Sequence, residues 1–171
     1  IAAPSSGRDL LVAVDISDSM DQQDMIIEGN PATRLETVKY VLQDFIKRRE
    51  GDRIGLILFG SNAYLQAPLT FDTKTVRQFL IEAQLGFAGP KTAIGEAIGL
   101  SVKRLQELNS SQNRVFIILT DCANNAGEIS PLEAAELASQ TDVKIYIIGI
   151  GADEMHVRGY FGTRKIDTST L

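Results

Sequence analysis

Cysteine is nearly absent from this chain, which has one, Cys122, in 171 residues. A lone thiol excludes an internal disulfide and a cysteine-rich zinc site. Histidine is equally scarce. His156 has no second imidazole to work with, so a zinc site or a histidine-based catalytic triad lacks support. Together with Arg158 and Tyr160 it is expected on a surface loop. Basic charge is in deficit: 17 Lys+Arg against 22 Asp+Glu give a net charge of −5. A protein that grips a nucleic-acid backbone wants a basic face, so no nucleic-acid partner is expected. An acidic balance is compatible with a cation site. Long apolar runs are missing as well. None reaches the roughly 18 residues that a membrane-spanning helix needs. The opening Ile1-Ala2-Ala3-Pro4-Ser5-Ser6-Gly7 has neither the charged start nor the apolar stretch of a signal peptide.

What is present is an ordinary globular composition, 44% hydrophobic and 23% charged, which excludes a disordered or collagen-like chain. At roughly 150 residues per domain, residues 1–171 read as one domain. Its core is expected over about residues 8–151, with an irregular tail over 152–171. Four short apolar runs punctuate the chain: Leu10–Val14, Ile54–Phe59, Val115–Leu119 and Val143–Ile148. They are continuous rather than alternating, as in parallel strands buried on both faces. Ala63–Ala67 follows the second run after only Gly60-Ser61-Asn62. That gap is too short for a crossover and predicts an antiparallel edge strand.

Helical periodicity fills the intervals. Leu35, Val38, Leu42, Phe45 and Ile46 share one face, and Thr33 with Glu36 makes a capping box. Val76, Phe79 and Leu80 follow Asp72, an N-cap candidate. Ile94, Ala97, Ile98, Val102 and Leu105 mark a third helix. Ser130-Pro131-Leu132-Glu133 opens a fourth. The order predicts an α/β fold: an open, doubly wound, mostly parallel sheet with one antiparallel edge strand and helices on both faces.

In such sheets ligands bind outside the carboxyl ends of the strands. The first strand delivers Asp15, Ser17 and Ser19 there; their alternation in an extended segment would turn all three to one side. Thr120-Asp121 ends the Val115 strand, and Thr92 enters the third helix. All five donors, Asp15, Ser17, Ser19, Thr92 and Asp121, are hard oxygens, which suits Mg²⁺, Mn²⁺ or Ca²⁺ rather than zinc or copper. Two carboxylates ~4–5 Å apart repel by roughly 3–4 kcal/mol at an effective dielectric of about 20, and a divalent cation relieves that. Asp21 and Asp24 are expected on a solvated face. Met20, Met25, Ile26 and Ile27 are expected to pack as local core beneath the loop.

With Thr92 and Asp121, the Asp15-x-Ser17-x-Ser19 pattern resembles the metal-ion-dependent adhesion site of von Willebrand factor type A domains. Gly7-Arg8-Asp9, Asp52-Arg53-Ile54-Gly55, Ala67-Pro68-Leu69-Thr70, Thr92-Ala93-Ile94-Gly95 and Leu119-Thr120-Asp121 resemble its bacterial aerotolerance-operon (Bat-type) branch. The resemblance implies direct hydroxyl ligands from Ser17, Ser19 and Thr92. It implies Asp15 and Asp121 bound directly or through water, and one open position for a partner protein's Asp or Glu carboxylate. It further implies a full-length protein anchored in the bacterial inner membrane on its periplasmic side, with a sister domain of the same type as partner. Asp18 and Cys122 stand where the family commonly has glycine. The family fold continues past Gly151 with another strand and a final helix. Their expected absence here predicts a truncated domain with an uncovered sheet edge and an apolar patch, open to homodimerisation.

Two other readings use the same residues. A Mg²⁺-dependent phosphotransfer enzyme would make Asp15 an aspartyl nucleophile. However, Ser17 stands where such enzymes resemble Asp-x-Asp, and no base or lysine partner stands out. A metal-free structural interaction domain would leave the five oxygens as strand-end and turn residues. The expected function is binding, not catalysis.

Overall fold

The apolar runs become strands because continuous hydrophobicity demands cover on both faces. The computed structural model describes residues 7–107, 113–121 and 142–151, the helical positions Leu132, Glu136 and Ser139, and the backbone of 155–159 and 162–166. In chain order, β1 (Asp9–Asp15) is followed by a short hairpin of β2 (Met25–Ile27) and β3 (Asn30–Ala32), then α1 (Arg34–Lys47). Next come β4 (Arg53–Phe59), β5 (Ala63–Thr70), α2 (Thr73–Glu82) and α3 (Ile94–Gln106). β6 (Arg114–Thr120), β7 (Val143–Ile150), β8 (Met155–Gly159) and β9 (Gly162–Ile166) complete the order.

The main sheet runs β5-β4-β1-β6-β7-β8-β9. β1 pairs parallel with β4 and β6, and β6 parallel with β7. β5 lies antiparallel on β4 at one edge, as the three-residue gap requires. Alternate residues of β1 feed two cores. Leu10, Val12 and Val14 face Leu35, Val38 and Leu42 of α1 and Val76 and Leu80 of α2. Leu11 and Ala13 face Ile94, Ala97, Ile98 and Val102 of α3 on the other side. Helices therefore cover both faces, and β1, between β4 and β6, is buried at every position.

The helix starts follow the local signals. Thr33 accepts from the Glu36 amide at 3.0 Å while Glu36 accepts from the Thr33 amide at 2.7 Å, completing the capping box. Asp72 caps α2 by accepting from the Thr75 amide at 3.1 Å. Of the predicted fourth helix, Leu132, Glu136 and Ser139 are helical; Ser130, Pro131 and Glu133 lie outside the described residues, as does Cys122.

Three expectations need correction. The described residues of the tail are not irregular: β8 pairs antiparallel with β7, and β9 with β8, so two more antiparallel strands extend the sheet. Their residues alternate too weakly to read as strands, and pairing with β7 supplies the order. The edge of the sheet on this side is therefore β9 rather than β7. His156 and Arg158 lie on strand β8, opposite Gly149 and Ile147, rather than on a loop; Tyr160 lies outside the described residues. Finally, Ile26 is not core. It is 74% exposed on β2, while Met20 and Met25 are buried. The hairpin turns at Glu28 and Gly29, both at positive φ (49° and 81°), the signature of a two-residue turn that suits strand twist.

Candidate metal centre

The carboxyl ends of β1 and β6 lie side by side, because these strands pair in register from Asp9↔Arg114 to Val14↔Leu119. Asp15 therefore emerges next to Thr120 and Asp121. The Asp15 carboxylate is fully buried. Its Oδ1 accepts from the Ser17 amide at 2.9 Å and from Ser17 Oγ at 2.5 Å, and its Oδ2 accepts from Thr120 Oγ1 at 2.7 Å.

The extended alternation expected through Ser19 stops early. Ser17 is extended, at φ −70° and ψ 166°, but the chain then enters a 3-10 turn over Asp18–Asp21. Burial of Met20 beneath the loop accompanies the turn. Ser17 sits at the cap position of this turn yet makes no side-chain cap bond. Its hydroxyl is instead the hub of the site, with Ser19 Oγ at 3.1 Å and Thr92 Oγ1 donating to it at 2.9 Å. That commitment argues against a mere capping role for Ser17.

Thr92 arrives from a distant loop because two glycines allow backbone to meet backbone. A Cβ on Gly60 would stand 2.5 Å from the Gly89 carbonyl oxygen and 3.0 Å from that of Ala88. Gly89 has φ +93°, where a side chain is strained. Asn62 N donates to Ala88 O at 3.0 Å, Ala93 N to Gly60 O at 2.8 Å, and Asp18 N to Pro90 O at 3.1 Å. These bonds sew the Thr92 loop to both strand ends. Thr92 is left buried against Ser17.

Burial is the largest influence on Asp15 and pushes its pKa above the ordinary 3.8. The Ser17 and Thr120 hydrogen bonds pull the other way, and the nearby Asp121 charge adds a smaller upward push. Four of the five predicted donors thus join in one hydrogen-bonded cluster. The fifth, Asp121, stands close enough for its charge to act on Asp15. The cluster places three hydroxyl oxygens and one carboxylate oxygen in a chain of 2.5–3.1 Å contacts. So dense a set of hard lone pairs fits a small oxygen-seeking cation. Among the described residues no three His, Cys, Asp or Glu side chains form a metal-holding group; this site has two carboxylates, and its other donors are hydroxyls.

Sequence reasoning missed the roles of three residues. Thr120, buried, holds the outer oxygen of Asp15. Asp24 is not simply solvated: the Arg34 guanidinium clasps it through Nε at 3.0 Å and Nη2 at 2.6 Å. The Arg34 hydrogen bonds draw the Asp24 pKa below the usual carboxylate range. Arg34 also donates from Nη1 to Asp121 Oδ2 at 3.3 Å. Position placed Arg34 at the start of α1, directly after the Thr33 cap, but no local signal joined it to Asp24 or Asp121. Asp18 and Asp21 are exposed, Asp21 as expected.

The family model of the von Willebrand factor type A domain matches residues 9–159. A solved structure of an uncharacterized membrane-spanning protein from Vibrio fischeri is 50% identical, covers 95% of this chain and 79% of its own, and superposes with a TM-score of 0.59. The conserved hypothetical protein BatB from Bacteroides thetaiotaomicron is 27% identical over 95% of this chain and 77% of its own, with a TM-score of 0.75. An uncharacterized protein of Borreliella burgdorferi is 33% identical over 150 residues, 88% of this chain. The chain spans 42% of the length of that curated relative.

Proposed function

Because the chain belongs to the von Willebrand factor type A domain family, we propose that it is a protein-binding module that holds a divalent cation and offers it to a carboxylate of a partner protein. The observation that carries this reading is the convergence of Asp15, Ser17, Ser19 and Thr92 from two separate loops into one buried hydrogen-bonded cluster. Ser17, Ser19 and Thr92 would hold the ion through their hydroxyls. Asp15 and Asp121 would hold it directly or through water. Mg²⁺ suits this set, with Mn²⁺ and Ca²⁺ as alternatives.

The ion would supply a concentrated positive charge. Hydroxyl ligands bring no formal charge of their own, so the ion still attracts an external anion. The chain's own residues do the rest. Thr120 and Ser17 fix the Asp15 carboxylate, and the Gly60–Gly89 contact fixes Thr92. The reading assigns no catalysis. The partner is a protein presenting Asp or Glu, such as a sister domain of the same type. The membrane-spanning description of the Vibrio relative supports a membrane-anchored whole protein, which we place on the periplasmic face. No helix among the described residues is long and apolar enough to cross a membrane.

Calorimetric titration of Mg²⁺ into the protein and into Asp15→Ala tests this function. Saturable heat is expected in the first and none in the second. Equal heats in both would overturn the reading.

A further inference from the structure

We infer that Arg34 is a built-in counter-cation of this site: a fixed positive charge, aimed by Asp24, that competes with the bound metal for Asp121. The inference rests on the metal reading above and adds a residue that none of the five donors implies. Three observations carry it. The Arg34 side chain is only 15% exposed and that of Asp121 3% exposed, so their contact is sheltered from water. Asp24 takes one edge of the guanidinium, through Nε and Nη2, which leaves Nη1 to donate to Asp121 Oδ2. A planar fork held on two sides has little freedom to swing away.

The fold builds this arrangement deliberately. Met25↔Ala32 is the pair at the open end of the β2–β3 hairpin. Asp24 and the Thr33-Arg34 step extend from that pair on the two strands. Arg34 N donates to Gln22 O at 3.0 Å, which ties the start of α1 to the site loop. The hairpin thus sets Asp24 against Arg34, and the start of α1 sets Arg34 against Asp121.

Two consequences have opposite signs. Without metal, Arg34 offsets the repulsion between Asp121 and Asp15. With metal, the same charge repels the incoming cation and shares an oxygen of one of its carboxylates. Arg34 therefore stabilises the metal-free protein and weakens the metal-bound one, which keeps the ion exchangeable. A role confined to holding α1 in place predicts the reverse for metal: loss of Arg34 would loosen the site and lower affinity.

The experiment titrates Mg²⁺ calorimetrically into the unaltered protein, Arg34→Gln and Arg34→Lys, and compares their thermal midpoints in EDTA and in saturating Mg²⁺. Arg34→Gln is expected to bind Mg²⁺ roughly tenfold more tightly, the scale for deleting one partly sheltered charge within a Debye length of the ion. Its midpoint should fall in EDTA, and most of the deficit should vanish in Mg²⁺. Arg34→Lys keeps the charge and should retain nearly the original affinity. Equal or weaker binding by Arg34→Gln overturns the inference, and so does tighter binding by both variants. Heat in Arg34→Gln alone would uphold the counter-cation while correcting the proposal that the natural site is metal-loaded. No heat in any of the three overturns both.

Discussion

Asp15 carries its carboxylate where water does not reach. Two hydroxyls and one amide donate to it, yet burial outweighs them and its pKa rises. An acid with a raised folded-state pKa binds more protons folded than unfolded, so its contribution to stability falls as pH climbs from the ordinary 3.8 through the raised value. In EDTA, Asp15→Asn should therefore gain stability relative to the unaltered protein as pH goes from about 4 to about 8, because only the unaltered chain must ionise a buried group at position 15. Urea midpoints across that range check the slope. A flat or falling difference would mean that the Ser17 and Thr120 bonds compensate burial in full. At this scale the gathering of Asp15, Ser17, Ser19 and Thr92, with Asp121 near, was legible from residue type and from position at strand ends and at the entry to α3. Arg34 and Asp24 were not. A cation in the first turn of a capped helix and an acid in a polar loop each read as surface, and nothing local tells that they meet.

Among the elements, the decisive contact is between the turn after β4 and the loop before α3. Gly60 meets backbone oxygens of Ala88 and Gly89, not the ends of flexible side chains, so an added methyl has no easy escape. Gly60→Ala should cost about 1–3 kcal/mol, in the range of overpacking a tight site. It should also weaken Mg²⁺ binding by displacing Thr92 from Ser17. Urea denaturation and calorimetry read the two effects, and a stability loss with unchanged Mg²⁺ affinity would show that Thr92 does not need this contact. The Gly60-Ser61-Asn62 gap announced the antiparallel pairing of β5. It could not announce that the same glycine lets a loop some thirty residues away dock on it. The β2–β3 hairpin was missed as well, because three-residue strands carry too little pattern to register.

The whole molecule separates its two ends. At the carboxyl ends of the strands the site gathers. At the amino ends, Arg53 grips Asp9 through two bonds of 2.7 Å each, with Asp9 buried. The Gly7-Arg8-Asp9 and Asp52-Arg53 segments, quoted for their family resemblance, meet here: Arg8 N donates to Asp52 Oδ1 at 2.9 Å. Their work is structural. Arg53→Ala would leave Asp9 charged and buried without its partner, and should cost about 3 kcal/mol, the low end for a broken buried pair because Arg53 is partly exposed. Mg²⁺ affinity should not change, since β1 and β4 separate the pair from the site along their full length. Chemical denaturation beside calorimetry tests both halves. A fall in affinity would show that the two ends are coupled.

Local patterns in the chain settled the class of fold, the central strands, three capped or amphipathic helices and the five oxygens at the rim. Each of these follows from side chains a few residues apart, through periodicity, capping and strand burial. Folding in three dimensions settled the docking of Thr92 on Ser17, the placing of Thr120 against Asp15, the strands β8 and β9 beyond β7, and the reach of Arg34 to Asp121. Those depend on which distant backbones pair and how closely they approach. Thr92 lies 75 residues from Ser17, Thr120 105 from Asp15 and Asp121 87 from Arg34, so no local window contains both partners of these contacts.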